Sequence, residues 1–415
     1  MIISDTDIHD YVIPRFLKYV AYETTSAYNA EETPSTPGQW ELARALEQEL
    51  RSLGISDVEL TSHCYVIARI PPAPSCEKAA ALGFLAHMDT SGETSGKNVK
   101  AIVENPYDGR RIDLGSFVLD PALDPDLAAQ KGKGIIHTDG KTLLGADDKA
   151  GIAEIMGAAA WLLEHPEIPH GTLELIFTPD EETGKGLPEF PLEKIRSTAC
   201  YTLDGGPLGE LETECFTAYS ASVAFQGRVI HPGTARGVLA NAALMAAYFA
   251  ALLPRTESPE ATDGYYGFYC LSSLKGTHEK AELELIIRDF DHDKAKKRVS
   301  NLDTFAKAVE AQFPGGKVTV TSKLQYLNMK EKIDKRPEVL ERLIQAAKNL
   351  GIPIHLKPIR GGTDGSRLTE LGVPTPNIFT GGRNFHGPAE WASIPDMLAA
   401  SKLVIELARL YSGAL

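Results

Sequence analysis

Gly83-Phe84-Leu85-Ala86-His87-Met88-Asp89-Thr90 is the stretch on which the reading of this chain turns. Residues 81–86 form an apolar run too short for a helix and free of charge, as a strand buried on both faces of a parallel sheet reads. The run ends in a histidine and a carboxylate two residues apart. Side chains alternate across a strand, so His87 and Asp89 share one face at its C-terminal end. Open α/β sheets bind ligands at that edge. Taken alone, the stretch also reads as a surface turn that happens to carry both residues.

Two further runs repeat the pattern. Residues 172–178 lead into Pro179-Asp180-Glu181-Glu182, and residues 198–203 lead into Asp204-Gly205-Gly206. A parallel sheet sets such ends side by side, which makes the coincidence harder to dismiss than any one of them. Between these runs, Leu143-Leu144-Gly145-Ala146-Asp147-Asp148-Lys149 precedes a helix expected over residues 151–164. An aspartate there is most often an N-cap, and one of the pair would satisfy a cap. The second carboxylate is left to explain. A late Gly-rich loop, residues 380–387, adds His386, and another, Arg360-Gly361-Gly362-Thr363-Asp364-Gly365, lets backbone approach a ligand closely.

Collected, the strand-end set is His87, Asp89, Asp147, Glu181, Glu182, Asp204 and His386. Imidazoles with carboxylates and no thiolate suit Zn²⁺, Mn²⁺ or Co²⁺ better than Ca²⁺ or Mg²⁺. A structural zinc site would be closed by ligands at short local spacing, whereas these are scattered, as in a two-metal hydrolytic site. Charge agrees: Asp147, Asp204 and Glu182 with one hydroxide neutralise two dications. Glu181 is then spare, and a spare carboxylate beside an acidified water is placed to be a general base.

The rest of the chain supplies the frame. At 415 residues it is long for one core, and 43% hydrophobic with 24% charged residues is ordinary globular composition. A formal net charge of -14 argues against nucleic acid and anionic membrane surfaces as partners. The five cysteines, Cys64, Cys76, Cys200, Cys215 and Cys270, form no CxxC pair and read as free thiols in a reducing compartment. The acidic opening residues do not read as a signal peptide, and no apolar run reaches membrane-spanning length, so a cytoplasmic location is expected.

Helices are expected over residues 8–22 and 37–53, the latter capped by the Thr36 side chain with Pro37 at N1, and one extended strand over 58–70. Residues 91–140 read as long loops with short strands. From residue 216 the order strand, helix, strand, strand, helix, strand is ferredoxin-like and complete in itself. The expected architecture is an α/β catalytic domain with a central, mostly parallel sheet over residues 1–215 and 328–415. An α+β βαββαβ lid and dimerisation domain over 216–327 would be inserted in it.

The strings HMDTS, LLGADDKAG, TPDEETGKG, LDGGPLGELETE, HPG, RGGTDGS and NFHGPAEW, in this order, resemble the M20 metallopeptidase family over essentially the whole chain, and most closely its tripeptide aminopeptidase branch. The resemblance implies two Zn²⁺ per subunit, with Co²⁺ or Mn²⁺ as substitutes. His87 and Asp204 would bind one, Glu182 and His386 the other, and Asp147 would bridge, with Asp148 the off-by-one alternative. It implies Glu181 as general base to a water bridging the two metals, and Asp89 as the carboxylate that orients His87. It also implies that His231 of HPG stabilises the tetrahedral intermediate, reaching the partner's site in a homodimer built on the inserted domain. Arg288 and the loop around Gly362 would contact the substrate carboxylate. Turn chemistry at His231 and a solvated strand position for Arg288 are the plainer readings.

One departure from the family pattern lies between HMDTS and SGKNV, where the family usually has a different short insert and this chain has Gly92-Glu93-Thr94. It bears on substrate length and side-chain preference, as does the stretch 104–109. The expected activity is release of the N-terminal residue from short peptides, tripeptides first. A related dipeptidase, carboxypeptidase or N-acyl amino acid deacylase is the nearest alternative, and a non-catalytic binding protein a distant one. Neither Gly-rich loop follows a GxxxxGK[ST] or GxGxxG pattern, so nucleotide binding has little support.

Overall fold

The computed structural model describes residues 3–413, in two compact units. The first takes the chain up to Thr213, Lys332–Lys357 and the chain from Thr363 onward; the second is Glu214–Glu331 with Pro358–Gly362.

The first unit is built on an eight-stranded mixed sheet. Its order is Asp57–Leu60, Val66–Ile70, Leu173–Thr178, Leu82–His87, Ala199–Gly205, Asn377–Phe379, Glu210–Glu212 and His355–Leu356. The central strands Leu173–Thr178, Leu82–His87, Ala199–Gly205 and Asn377–Phe379 run parallel, while the flanking pairs with Val66–Ile70 and Glu210–Glu212 are antiparallel. Leu82–His87 and Leu173–Thr178 are buried at every position, which their apolar runs predict. His87 is in register with Thr178, and Leu85 with Thr202, so the acidic and histidine ends emerge along one edge.

The helix Ala146–Glu164 is buried almost throughout and packs against Asp5–Tyr19, Ile394–Tyr411 and the strands Leu82–His87 and Ala199–Gly205. A helix apolar on all sides needs such a surround. Where it crosses Ala199–Gly205 the contact is so close that a Cβ on Gly151 would lie 2.0 Å from the Leu203 carbonyl oxygen.

Several local expectations change. The first helix spans Asp5–Tyr19 and starts on a Ser4–Asp7 capping box, three residues earlier than its apolar spacing suggests. Thr36 stands at the N-cap of Pro37–Ser52, but its hydroxyl makes no cap bond and instead accepts from Gln39 Nε2. The expected strand over 58–70 is a hairpin, Asp57–Leu60 and Val66–Ile70, because Cys64 turns with a φ of 68°. All five cysteines are free. Among the described residues no helix is long and apolar enough to cross a membrane.

The second unit is a four-stranded antiparallel sheet in the order Phe268–Gly276, Lys280–Asp289, Thr217–Gln226, Lys317–Tyr326, with the helices Ala242–Leu252 and His292–Gln312. Lys280–Asp289 alternates between exposed or half-buried and buried positions along its length. Leu283, Leu285 and Ile287 point into a core with Val223, Phe225, Met245, Phe249, Leu302 and Val309.

Candidate metal centre

The ends of the parallel strands and the loops after them converge in the first unit. Asp89, fully buried, accepts the backbone amide of Glu181 through Oδ1 at 2.9 Å and that of Glu182 through Oδ2 at 3.1 Å. His87 Nδ1 lies 3.0 Å from the Asp89 carbonyl oxygen and 3.3 Å from its Oδ1. Asp89 thus holds the His87 ring and the acidic turn together. Asp180, the first acid of that turn, faces away and is consumed elsewhere, its carboxylate accepting from the Ser35 amide, the Ser35 hydroxyl and Gln39 Nε2.

The adjacent aspartates divide in the same manner. Residues 147 and 148 are non-helical at the start of their helix. Asp148 is spent on backbone: Oδ1 accepts from the Gly151 amide at 3.2 Å and Oδ2 from the His87 amide at 3.1 Å. Asp147 faces both imidazoles, with Oδ1 2.8 Å from His87 Nε2 and Oδ2 3.1 Å from His386 Nε2. Asp204 Oδ1 stands 3.6 Å from His87 Nε2, and Glu182 Oε1 3.1 Å from His386 Nε2. Two groups follow, His87–Asp147–Asp204 and Asp147–Glu182–His386, each with its candidate ligand atoms all within 4.8 Å of one another. Glu181 belongs to neither group.

The donors fit a pair of divalent cations. Glu182 Oε1 is buried without a well-formed hydrogen bond, although His386 is near, and a buried carboxylate oxygen left so calls for a cation. Both groups offer imidazole nitrogen and carboxylate oxygen and no sulfur, a set that suits zinc, manganese or cobalt.

The electrostatics show how strongly these groups depend on one another. Burial alone would raise Asp147, but hydrogen bonds from His386 and His87 outweigh it and hold the carboxyl below the usual carboxylate range. Burial would lower His87, yet Asp147, Asp204 and Asp89 raise it well above an ordinary imidazole. The carboxylates of Asp147 and Glu182 beside its ring push His386 up to about 11. Burial pushes Glu182 to about 7 and Asp204 to about 6, with repulsion from Asp147 adding to both. Glu181 is raised well above its ordinary value, first by burial, against an opposing pull from His87.

Two carboxylates here were not named from sequence as part of the metal site. Glu390, buried, accepts the amides of Leu144 and Gly145 through Oε2 and of Asp147 through Oε1, so it fixes the backbone that presents Asp147. Its signal was its place in NFHGPAEW, next to the buried Trp391. Glu93, in the departing insert, lies 2.9 Å from His386 Nδ1.

The remaining expected residues belong to the second unit. His231 is exposed, and its Nδ1 accepts from the Gly233 amide at 3.1 Å, which is turn chemistry. Arg288 donates to the carbonyl oxygens of Tyr219 and Ile287, and its guanidinium lies over the Tyr326 ring. Gly362 packs on the same ring, where a Cβ would come within 2.6 Å. Arg288 and Gly362 therefore meet at Tyr326.

A mixed sheet whose parallel strands end in two imidazole–carboxylate groups sharing one aspartate frames a candidate two-metal centre, and the chain belongs to peptidase family M20/M25/M40, whose sequence model matches residues 133–410. Among its relatives, Peptidase T of Geobacillus sp. (strain WCH70) and Peptidase T of Bacillus velezensis are each 46% identical over 403 residues, 96% of this chain and 98% of theirs. The fold matches the crystal structures of aminopeptidase PepT from Bacillus cereus (TM-score 0.77, 22% identity) and of a tripeptidase from Staphylococcus aureus (TM-score 0.77, 23% identity). Each comparison covers 97% of this chain and 98% of the other.

Proposed function

We propose that this chain is a metal-dependent aminopeptidase that releases the N-terminal residue of short peptides, tripeptides first. The observation that carries the reading is Asp147 set between two imidazoles with Glu181 left outside both ligand groups. Relatives named Peptidase T at 46% identity support the tripeptide preference.

Two divalent cations, zinc first with cobalt or manganese as substitutes, would be held by His87, Asp204 and Asp147 and by Glu182, His386 and Asp147, where they would acidify water and polarise the scissile carbonyl. Glu181 takes the proton of the attacking water and passes it to the nitrogen of the leaving amine. A carboxylate beside metal-acidified water, and not itself a ligand, is placed to accept a proton and then to give it to the leaving nitrogen. Asp89 holds the Glu181 amide, and so the base, in fixed relation to His87. His231 would hydrogen-bond the oxyanion, and Arg288 with the Gly362 loop would take the substrate carboxylate. The division into a catalytic domain, residues 1–215 and 328–415, and a lid and dimerisation domain, 216–327, belongs to the same proposal, with a homodimer and a cytoplasmic location.

The test is hydrolysis of one tripeptide, its dipeptide, its tetrapeptide and its N-acetylated form, with and without chelator, products being read by mass. Chelator-sensitive release of the first residue from the tripeptide is the expected result. Cleavage of the acetylated form would overturn it in favour of a deacylase, and bound metal without cleavage in favour of a binding protein.

A further inference from the structure

The segment after His87 makes contact with His386 from the other end of the chain. Glu93 Oε2 lies 2.9 Å from His386 Nδ1, and Thr94 Oγ1 donates to the His386 carbonyl oxygen at 2.8 Å. Glu93 is itself held by Ser91, whose hydroxyl donates to its carboxylate and accepts from its amide at 3.2 Å. His386 needs such support. Its backbone is left-handed, with a φ of 64°, and its side chain is 38% exposed, so neither packing nor a regular element sets the ring.

The arrangement repeats the one at His87. There the ring turns Nδ1 to Asp89 and Nε2 to Asp147 and Asp204. At His386 the ring turns Nδ1 to Glu93 and Nε2 to Asp147 and Glu182. A histidine that ligates through one nitrogen is oriented, and made a better donor, by a carboxylate on the other. An isolated exposed ion pair would contribute little, but Glu93 is fixed in advance by Ser91 and the backbone of its partner by Thr94.

We propose that Glu93 is the positioning residue for His386, holding Nδ1 so that Nε2 faces the site it shares with Asp147 and Glu182, and that Thr94 locks the His386 backbone for the same purpose. The insert is then part of the metal centre. This inference rests on the two-metal reading above.

The experiment measures zinc binding to the full-length protein in zinc-buffered solution, with stoichiometry by elemental mass spectrometry, alongside kcat and KM for a tripeptide. The wild type is expected to bind two ions with separable affinities. Glu93→Ala should weaken one of them by about 10–100-fold and leave the other unchanged, and Glu93→Gln, which keeps an acceptor, should fall between. The loss in kcat should be recovered at high zinc with KM unchanged. In a His386→Ala background Glu93→Ala should cause no further loss, as expected if it acts only through that ring. Unchanged zinc affinities in Glu93→Ala would overturn the proposal, as would an undiminished effect in the His386→Ala background. A raised KM with intact zinc binding would overturn it too, assigning Glu93 to the substrate. A wild type that binds fewer than two ions would instead overturn the two-metal reading, and this inference with it.

Discussion

Asp89 Oδ1 accepts the backbone amide of Glu181 at 2.9 Å, so the carboxylate that steadies the His87 ring also sets the position of the residue proposed as general base. Asp89→Asn keeps the shape but cannot accept both the Glu181 and the Glu182 amides, because one oxygen becomes a donor. Turnover at saturating zinc is expected to fall by about 10–100-fold, with a smaller change in KM. Steady-state kinetics on a tripeptide check it.

Glu181→Gln should separate proton transfer from metal binding. Glu181 lies outside both ligand groups, so zinc content by elemental analysis is expected to stay at the wild-type level. Its kcat should drop by about 10²–10⁴-fold, the usual contribution of a positioned base. A variant that retained most of its turnover with metal bound would remove Glu181 from the mechanism.

Metal binding should release protons. In the metal-free site His386 is held up to about 11 by Asp147 and Glu182, so its imidazole is charged at neutral pH and must lose a proton to ligate. Apparent zinc affinity is therefore expected to rise with pH from 6 to 8. Titration calorimetry in buffers of different ionisation enthalpy would count the protons, and chelator-stripped enzyme should regain activity with Zn²⁺, Co²⁺ or Mn²⁺.

Glu154 sits in the buried helix Ala146–Glu164 with neither carboxylate oxygen hydrogen-bonded. Burial, then Asp396, raises its carboxyl well above the usual range. A carboxyl whose folded pKa is raised costs stability above its unfolded value, and that cost grows as pH rises towards the folded one. Glu154→Gln should thus raise Tm by ~3 °C at pH 8 and by less at pH 5. Thermal scans at both pH values test the sign.

Gly151→Ala places a Cβ 2.0 Å from the Leu203 carbonyl oxygen and 2.5 Å from Asp148 Oδ1. The helix must move away from the strand that carries Asp204. A loss of about 1–3 kcal/mol, as for an overpacked core, should accompany reduced zinc content, read by denaturant unfolding and elemental analysis.

Much of the first unit was legible because strand side chains repeat at period two and buried strands exclude charge. Runs ending in His87, Glu181 and Asp204 stand out against such a background. The second unit was legible for the same reason, since Lys280–Asp289 alternates in sequence as it does in burial. The hairpin at Cys64 was not, because its turn lacks the Gly, Pro or Asn that usually marks one. Glu390 and Glu93 were not, because what they do depends on partners far along the chain: Glu390 reaches Leu144 across 246 residues, and Thr94 reaches His386 across 292.

By itself, the amino-acid sequence determined the order of elements, the edge at which the chemistry gathers and the kinds of side chain present there. Local periodicity and residue type encode all three. Which of several neighbouring acids does what was decided only by tertiary structure. Asp148 and Asp180 have their oxygens occupied by backbone and side-chain donors, whereas Asp147 faces His87 and His386. Adjacent carboxylates are chemically alike in the chain, and they become different when the fold brings donors to some and imidazoles to others.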